Sequence, residues 1–173
     1  MMDKIKTRTF EESNYHAVNF NGKTLRFAID PLKEISELKY PEFYDIKITD
    51  KCSGNCSYCY QDSKKTSKHY KDIVKKTHNF FAKMSTNERP FQVALGGGNP
   101  NEHPDFIKLL RELKNLGIMP NYTTNGMGLT EDILRATKHY CGGVAVSCHE
   151  HLENTWRSAV RELYDYGIKT NLH

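Results

Sequence analysis

Long hydrophobic runs are missing from this sequence. None of the 173 residues lies in an apolar stretch near the ~20 positions that a bilayer-spanning helix needs, so no membrane association is expected. The opening residues, MMDKIKTRTFEES, lack the apolar core of a signal peptide. The expected compartment is therefore the cytoplasm, where thiols stay reduced. A strong charge of one sign is missing too. Twenty-five Lys and Arg against 21 Asp and Glu leave a net charge of +4, too mild to point to a nucleic-acid partner. The most informative shortage concerns cysteine. Cys52, Cys56 and Cys59 fall within KCSGNCSYCYQD (residues 51–62), spaced C-x-x-x-C-x-x-C, and no fourth cysteine follows nearby. Such a cluster fits metal binding better than a disulfide framework.

What is present reads as one domain of alternating elements. HAVNFNGKTLRFAID (residues 16–30) predicts two short strands joined at Asn21-Gly22, a strong hairpin signal. EFYDIKIT (42–49) predicts a strand running straight into the cysteine loop. From Lys68 to Met84, the apolar positions Tyr70, Ile73, Val74, Thr77, Phe80, Phe81 and Met84 follow helical spacing. FQVALGG predicts a buried strand, and PDFIKLLRELKNLG a helix opened by Pro104 and closed by Gly117. IMPNYTTNG reads as a strand, TEDILRATKHY as a helix capped by Thr130, and GGVAVSCH as a strand. NTWRSAVRELYDYG and IKTNLH supply a last helix and strand. The stretches RELKNLGIMPN and RELYDYGIKTN align without gaps fifty residues apart, each a helix ending in Gly before Ile opens a strand.

This alternation predicts an α/β fold, a parallel sheet with crossover helices. In such folds the working face lies at the carboxyl ends of the strands. The cysteine loop, GGGNP, TTNG and SCHEH all fall there, so four loops converge on one face.

Three thiolates suit an iron–sulfur cubane with one iron left open to a small ligand. Gly54 lets the loop backbone wrap such a cluster, and its amides can donate to sulfur. Structural zinc is the alternative; it wants a fourth ligand, for which His69, His78 or Cys141 are candidates. The asymmetric spacing and the convergent glycine loop argue against zinc. A redox pair of Cys56 and Cys59 would leave Cys52 superfluous.

The loop resembles the signature of the radical S-adenosylmethionine (SAM) superfamily, with the aromatic Tyr58 directly before the third cysteine. The resemblance runs from about Glu42 to the end. LGGGNPNEHPDF is similar to the family's Gly-Gly-Glu-Pro strand end, TTNG to its Thr-Asn-Gly, and VAVSCHEH to its fourth-strand serine segment. It implies a partial (β/α) barrel at 42–173 behind an amino-terminal β-hairpin extension at 1–41. It further implies a [4Fe–4S] cluster on Cys52, Cys56 and Cys59, and S-adenosylmethionine on its open iron. Reductive cleavage would give a 5′-deoxyadenosyl radical that abstracts hydrogen from an unidentified substrate, a peptide or small metabolite. The implied reductant is a donor such as flavodoxin or ferredoxin. Tyr58 would lie near adenine, the main chain of Gly96, Gly97 and Gly98 would meet the methionine amino group, and Thr124, Asn125 and Ser147 would contact its methionine or ribose end. The different-class alternative is a non-catalytic zinc or iron–sulfur structural module.

Two departures from the family pattern stand out. Asn99 replaces the family's Glu and brings no negative charge toward the cofactor's ammonium group. The family barrel generally has six strands, whereas this sequence reaches a fifth, so it is expected to be the amino-terminal portion of a larger enzyme or an unusually truncated member. Other features read plainly. Lys64, Lys65, Lys68, Lys71, Lys75 and Lys76 are expected on a solvated face. His149 and His151 are expected to be ordinary polar surface, and Cys148 a packed thiol on the strand face opposite Ala145, Ser147 and His149.

Overall fold

A computed structural model describes residues 5–20 and 23–173. Two sheets make up the fold. The first is antiparallel, order β1-β2-β3, from strands β1 (Lys6–Phe10), β2 (Tyr15–Phe20) and β3 (Lys23–Ala28). The expected hairpin strands are β2 and β3, and the proposed Asn21-Gly22 turn lies outside the described residues. Strand β1 was not anticipated, because its sequence KTRTF lacks an apolar alternation.

The second sheet is parallel, in the chain order β4-β5-β6-β7-β8. Its strands are β4 (Phe43–Thr49), β5 (Gln92–Gly97), β6 (Met119–Thr124), β7 (Val144–Val146) and β8 (Thr170–Leu172). The crossovers carry α1 (Ile73–Ala82), α2 (Phe106–Asn115), α3 (Glu131–Tyr140) and α4 (Glu153–Asp165). The predicted α/β alternation is therefore present, with five parallel strands. Among the described residues no helix is long and apolar enough to cross a membrane.

Period-two patterning decides which face of the sheet is which. On β5, Val93 and Leu95 are fully buried, while Ala94 and Gly96 line a cavity on the opposite side. Helix α2 supplies Phe106, Leu109, Leu110 and Leu113 to the same buried cluster, the i, i+3, i+4, i+7 stripe of an amphipathic helix. Thr130 caps α3 as expected, its side chain accepting from Ile133 N at 3.4 Å.

The fifty-residue repeat has a structural cause. Both segments close a helix with the same left-handed glycine turn. Gly117 (φ 77°) donates to Lys114 O and Ile118 N to Leu113 O; Gly167 (φ 62°) donates to Tyr164 O and Ile168 N to Leu163 O. This is a Schellman closure, and the isoleucine after each glycine packs back into the core.

Helix α1 starts at Ile73, five residues later than its apolar spacing predicts. Residues 64–70 are recruited instead as partners for the exposed backbone beyond β4. Asp50 N donates to Lys68 O, Cys52 N to Lys64 O, and Tyr70 N to Ile48 O. Unpaired amides at a buried loop cost more than a lost helical turn. Asp72 then adopts a left-handed conformation (φ 58°) that reverses the chain into α1. The lysines of this stretch are solvent-exposed, as expected.

The antiparallel sheet is fastened mainly by a buried arginine. Arg8, 1% exposed, donates to the carbonyls of Asn87, Pro41, Tyr40 and Glu88, and its guanidinium lies over the rings of Phe10 and Phe91. Burial lowers its pKa, partly offset by Glu42. Glu42 in turn accepts from Tyr15 and Arg26.

Candidate functional site

The cysteine loop leaves the end of β4 and is sewn to the end of β5. Gly98 N donates to Thr49 O at 2.7 Å and Asn99 N to Lys51 O at 2.9 Å. Those bonds explain two of the three glycines. A Cβ on Gly97 would sit 2.2 Å from Thr49 O, and one on Gly98 2.1 Å from Lys51 O. The close approach they permit is to the chain's own backbone. Gly96 is different: a Cβ there meets nothing within 4 Å, and the residue borders the cavity. Of the three, only Gly96 has open space where a Cβ would stand.

That cavity measures ≈ 560 Å³ and lies at the carboxyl ends of the parallel strands. Cys52, Cys56, Cys59, Tyr58, Gly96, Gly97, Gly98, Thr124, Asn125 and Ser147 all line it. The fold thus gathers residues spread over 96 positions of sequence. Asn99 is the exception.

Asn99 is 1% exposed and does not line the cavity. Its Nδ2 donates to Glu102 Oε1 and Met127 O, both at 2.9 Å, and its Oδ1 faces Thr124 Oγ1 at 2.8 Å and Asn125 N at 3.4 Å. Every polar atom of the amide is committed inside the protein. Its side chain ties the β5 turn to the β6 turn. Thr124 borders the cavity, yet its hydroxyl lies between Asn99 Oδ1 and Asn101 Oδ1 and accepts from Gly126 N. Ser147 lines the cavity with a hydroxyl that takes no hydrogen-bond partner among the described residues.

The thiols sit among donors. Cys52 Sγ accepts from Gly54 N (3.4 Å) and Asn125 Nδ2 (3.3 Å), and Cys59 Sγ from Ser63 N (3.4 Å). Burial pushes the Cys52 thiol up, opposed by the Gly54 amide, and burial likewise raises Cys56. Thiols held this way ionise when a cation arrives, so metal loading releases protons. Ser63 Oγ is buried on the same wall with no partner among the described residues. Soft thiols, an orphaned hydroxyl and the open side of Gly96 together fit a sulfur-rich cluster with a small organic ligand beside it.

The candidate fourth zinc ligands lie elsewhere. His69 bonds Thr49 Oγ1, His78 bonds Glu112 Oε1 on the helical side, and Cys141 packs against the core, where burial raises its pKa. None of the three lines the cavity. Cys148 is also off the cavity, half-buried, its Sγ 3.7 Å from Val146 O, as the strand alternation predicts.

Of the histidine pair expected to be plain surface, His149 lines the cavity and His151 stacks on it from outside. His149 and His151 stack at 5.8 Å between centroids; His149 Nδ1 contacts Tyr58 Oη at 3.2 Å, and His151 Nε2 donates to Gly54 O at 2.9 Å. Glu102 was overlooked altogether: it accepts from Ser53 N and Ser53 Oγ at 3.1 and 2.8 Å, directly beside Cys52. Its only sequence signal was a charged residue where a turn packs on a loop.

Known proteins resemble this chain in sequence and in fold. The tungsten-containing aldehyde ferredoxin oxidoreductase cofactor-modifying protein of Pyrococcus furiosus is 28% identical over 96 residues, covering 52% of this chain and 25% of that protein. GTP 3′,8-cyclase of Photorhabdus laumondii is 28% identical over 113 residues, 60% of this chain and 33% of that one. The chain thus spans a third or less of these relatives. SuiB of Streptococcus suis has been solved bound to S-adenosylmethionine (TM-score 0.62, 16% identity, 77% of this chain and 33% of SuiB). Its structure with precursor peptide SuiA matches at TM-score 0.63, 17% identity, 78% of this chain and 33% of SuiB. The sequence profile of the Radical SAM superfamily matches residues 46–153, from within β4 to the start of α4. With more than half of its length matched, the cysteine loop included, the chain belongs to the radical SAM superfamily.

Proposed function

We propose that this chain is the cofactor-binding part of a radical SAM enzyme acting on a peptide or small metabolite. The observation that carries the reading is the single cavity onto which Cys52, Cys56, Cys59, Gly96 and Ser147 all open. Cys52, Cys56 and Cys59 would hold a [4Fe–4S] cluster, and the wall of Gly96 and Ser147 would take S-adenosylmethionine, with Tyr58 at the rim. When bound, these groups supply reductive sulfonium cleavage and the 5′-deoxyadenosyl radical. The protein's own residues position and shield. The Gly98–Thr49 and Asn99–Lys51 backbone bonds fix the loop on the sheet, and His151 holds it at Gly54 O. The Gly96 backbone leaves room for the ligand without a side chain to displace.

Residues 42–173 form the core in this reading and 1–41 an extension, with an electron donor such as flavodoxin or ferredoxin as partner and the cytoplasm as compartment. SuiB, solved with a precursor peptide, and a GTP cyclase show that relatives differ in substrate, so the substrate class stays at peptide or small metabolite. Anaerobic reconstitution tests the reading. About four irons and four sulfides per chain, with 5′-deoxyadenosine formed on reduction, are expected. Stoichiometric zinc, or a cluster that yields no deoxyadenosine, would identify a structural module instead.

A further inference from the structure

Three side chains outside the thiol set converge on the cysteine loop from three different elements, and their electrostatics have opposite signs. Asn125, at the end of β6, donates from Nδ2 to Cys52 Sγ, while its Oδ1 accepts from Met127 N at 2.9 Å. The Met127 amide can only donate, so the orientation of the Asn125 amide is set and its N–H faces sulfur. Ser63 closes the loop; the residue is 5% exposed and borders the cavity, and its hydroxyl, with no partner among the described residues, is free to donate to a cluster sulfur there. Glu102, in the turn after β5, does the reverse. Its carboxylate clasps Ser53 N and Oγ and so lies directly beside Cys52.

Donors to ligand sulfur draw electron density away and stabilise the reduced state of a cluster, whereas a fixed carboxylate destabilises it. In a half-buried loop neither effect is fully screened. We propose that Asn125 and Ser63 raise, and Glu102 lowers, the reduction potential of the cluster held by Cys52, Cys56 and Cys59. These are positioning residues: they touch the ligand loop, not the substrate. Because they come from β6, the loop's end and the β5 turn, the potential is set by assembly of the sheet and not by the loop sequence alone. The inference rests on the cluster-binding reading above.

The test uses the reconstituted chain and redox titration monitored by electron paramagnetic resonance. Ser63→Ala and Asn125→Leu should move the midpoint potential down, and Glu102→Gln should move it up, all at unchanged iron content. Ser63→Ala removes one unpartnered atom and leaves the fold intact even if Asn125→Leu does not. A second readout needs no cluster: in the metal-free protein, Glu102→Gln should speed hydrogen exchange at the Ser53 amide, and Ser63→Ala should not. Shifts of one common sign, no shift in fully loaded Ser63→Ala, or unchanged Ser53 exchange in Glu102→Gln would overturn the inference. Wild-type chain that assembles no four-iron cluster would overturn the functional reading itself, and this inference with it.

Discussion

The two sheets solve the same problem with different chemistry. The parallel sheet packs one face against four helices through a continuous apolar cluster that includes Ile48, Val93, Leu95, Phe106, Leu113, Tyr122 and Leu163, and turns its other face to the cavity of the three thiols. The antiparallel sheet has a buried apolar cluster of only Tyr15, Ala17 and Phe91, and is held by the four carbonyl bonds of Arg8. Its strand β3 leaves Leu25 and Phe27 exposed. A site built on strand ends must not move relative to its neighbours, which a packed apolar layer ensures. An extension needs only attachment, and directional polar bonds suffice for that.

The largest expected break in this comparison is at the thiols. Replacing Cys52, Cys56 or Cys59 by Ala should reduce iron content after reconstitution essentially to background, since two thiolates cannot retain a solvent-facing cubane. Cys141→Ala and Cys148→Ala, whose thiols lie off the cavity, should load iron fully. Full loading of Cys56→Ala would refute the assignment.

Next comes the packed layer. Phe106→Ala removes a fully buried ring stacked edge-on to Tyr122 at 5.0 Å, and should cost about 3–5 kcal/mol in chemical denaturation. Leu25→Ala on the exposed β3 face should stay within about 0.5 kcal/mol. Equal losses in the two variants would show that the sheets are not built differently.

Asn99→Asp sharpens the comparison within the site. It keeps the shape but loses both amide donors and brings a second carboxylate to Glu102, 2.9 Å away in the present pairing. A loss of about 1–3 kcal/mol is expected, with no tighter binding of S-adenosylmethionine. Tighter cofactor binding by isothermal calorimetry would mean that position 99 faces the ligand after all.

Arg8→Met should cost a similar or smaller amount, but in one place. Hydrogen exchange should accelerate over residues 6–28 while the amides of β5 and β6 remain protected. Uniform acceleration would make the two sheets one cooperative unit. The smallest effect belongs to His151→Phe, which deletes one bond to Gly54 O and should cost about 1 kcal/mol, visible as faster exchange within the cysteine loop. An unaltered loop would remove His151 from the set that positions it.

By itself, the sequence determined the order and kind of the elements in the parallel sheet, the helix closures at Gly117 and Gly167, and the three clustered thiols. All of these rest on local chemistry: apolar periodicity, left-handed glycine turns and cysteine spacing are written in neighbouring residues. The gathering of four loops on one face was legible as well, because parallel crossovers leave no other place for them. Tertiary structure alone decided the rest. It turned Asn99 inward to Met127 O, gave Gly97 and Gly98 to backbone packing, bound His151 to Gly54, drew residues 68–72 out of α1, and placed Asn125 on Cys52. Each of these is a contact between residues roughly 15 to 100 positions apart, made because a buried amide, hydroxyl or carboxylate must find a partner. Which partner it finds depends on where the sheet sets the strand ends, and that is a property of the folded chain.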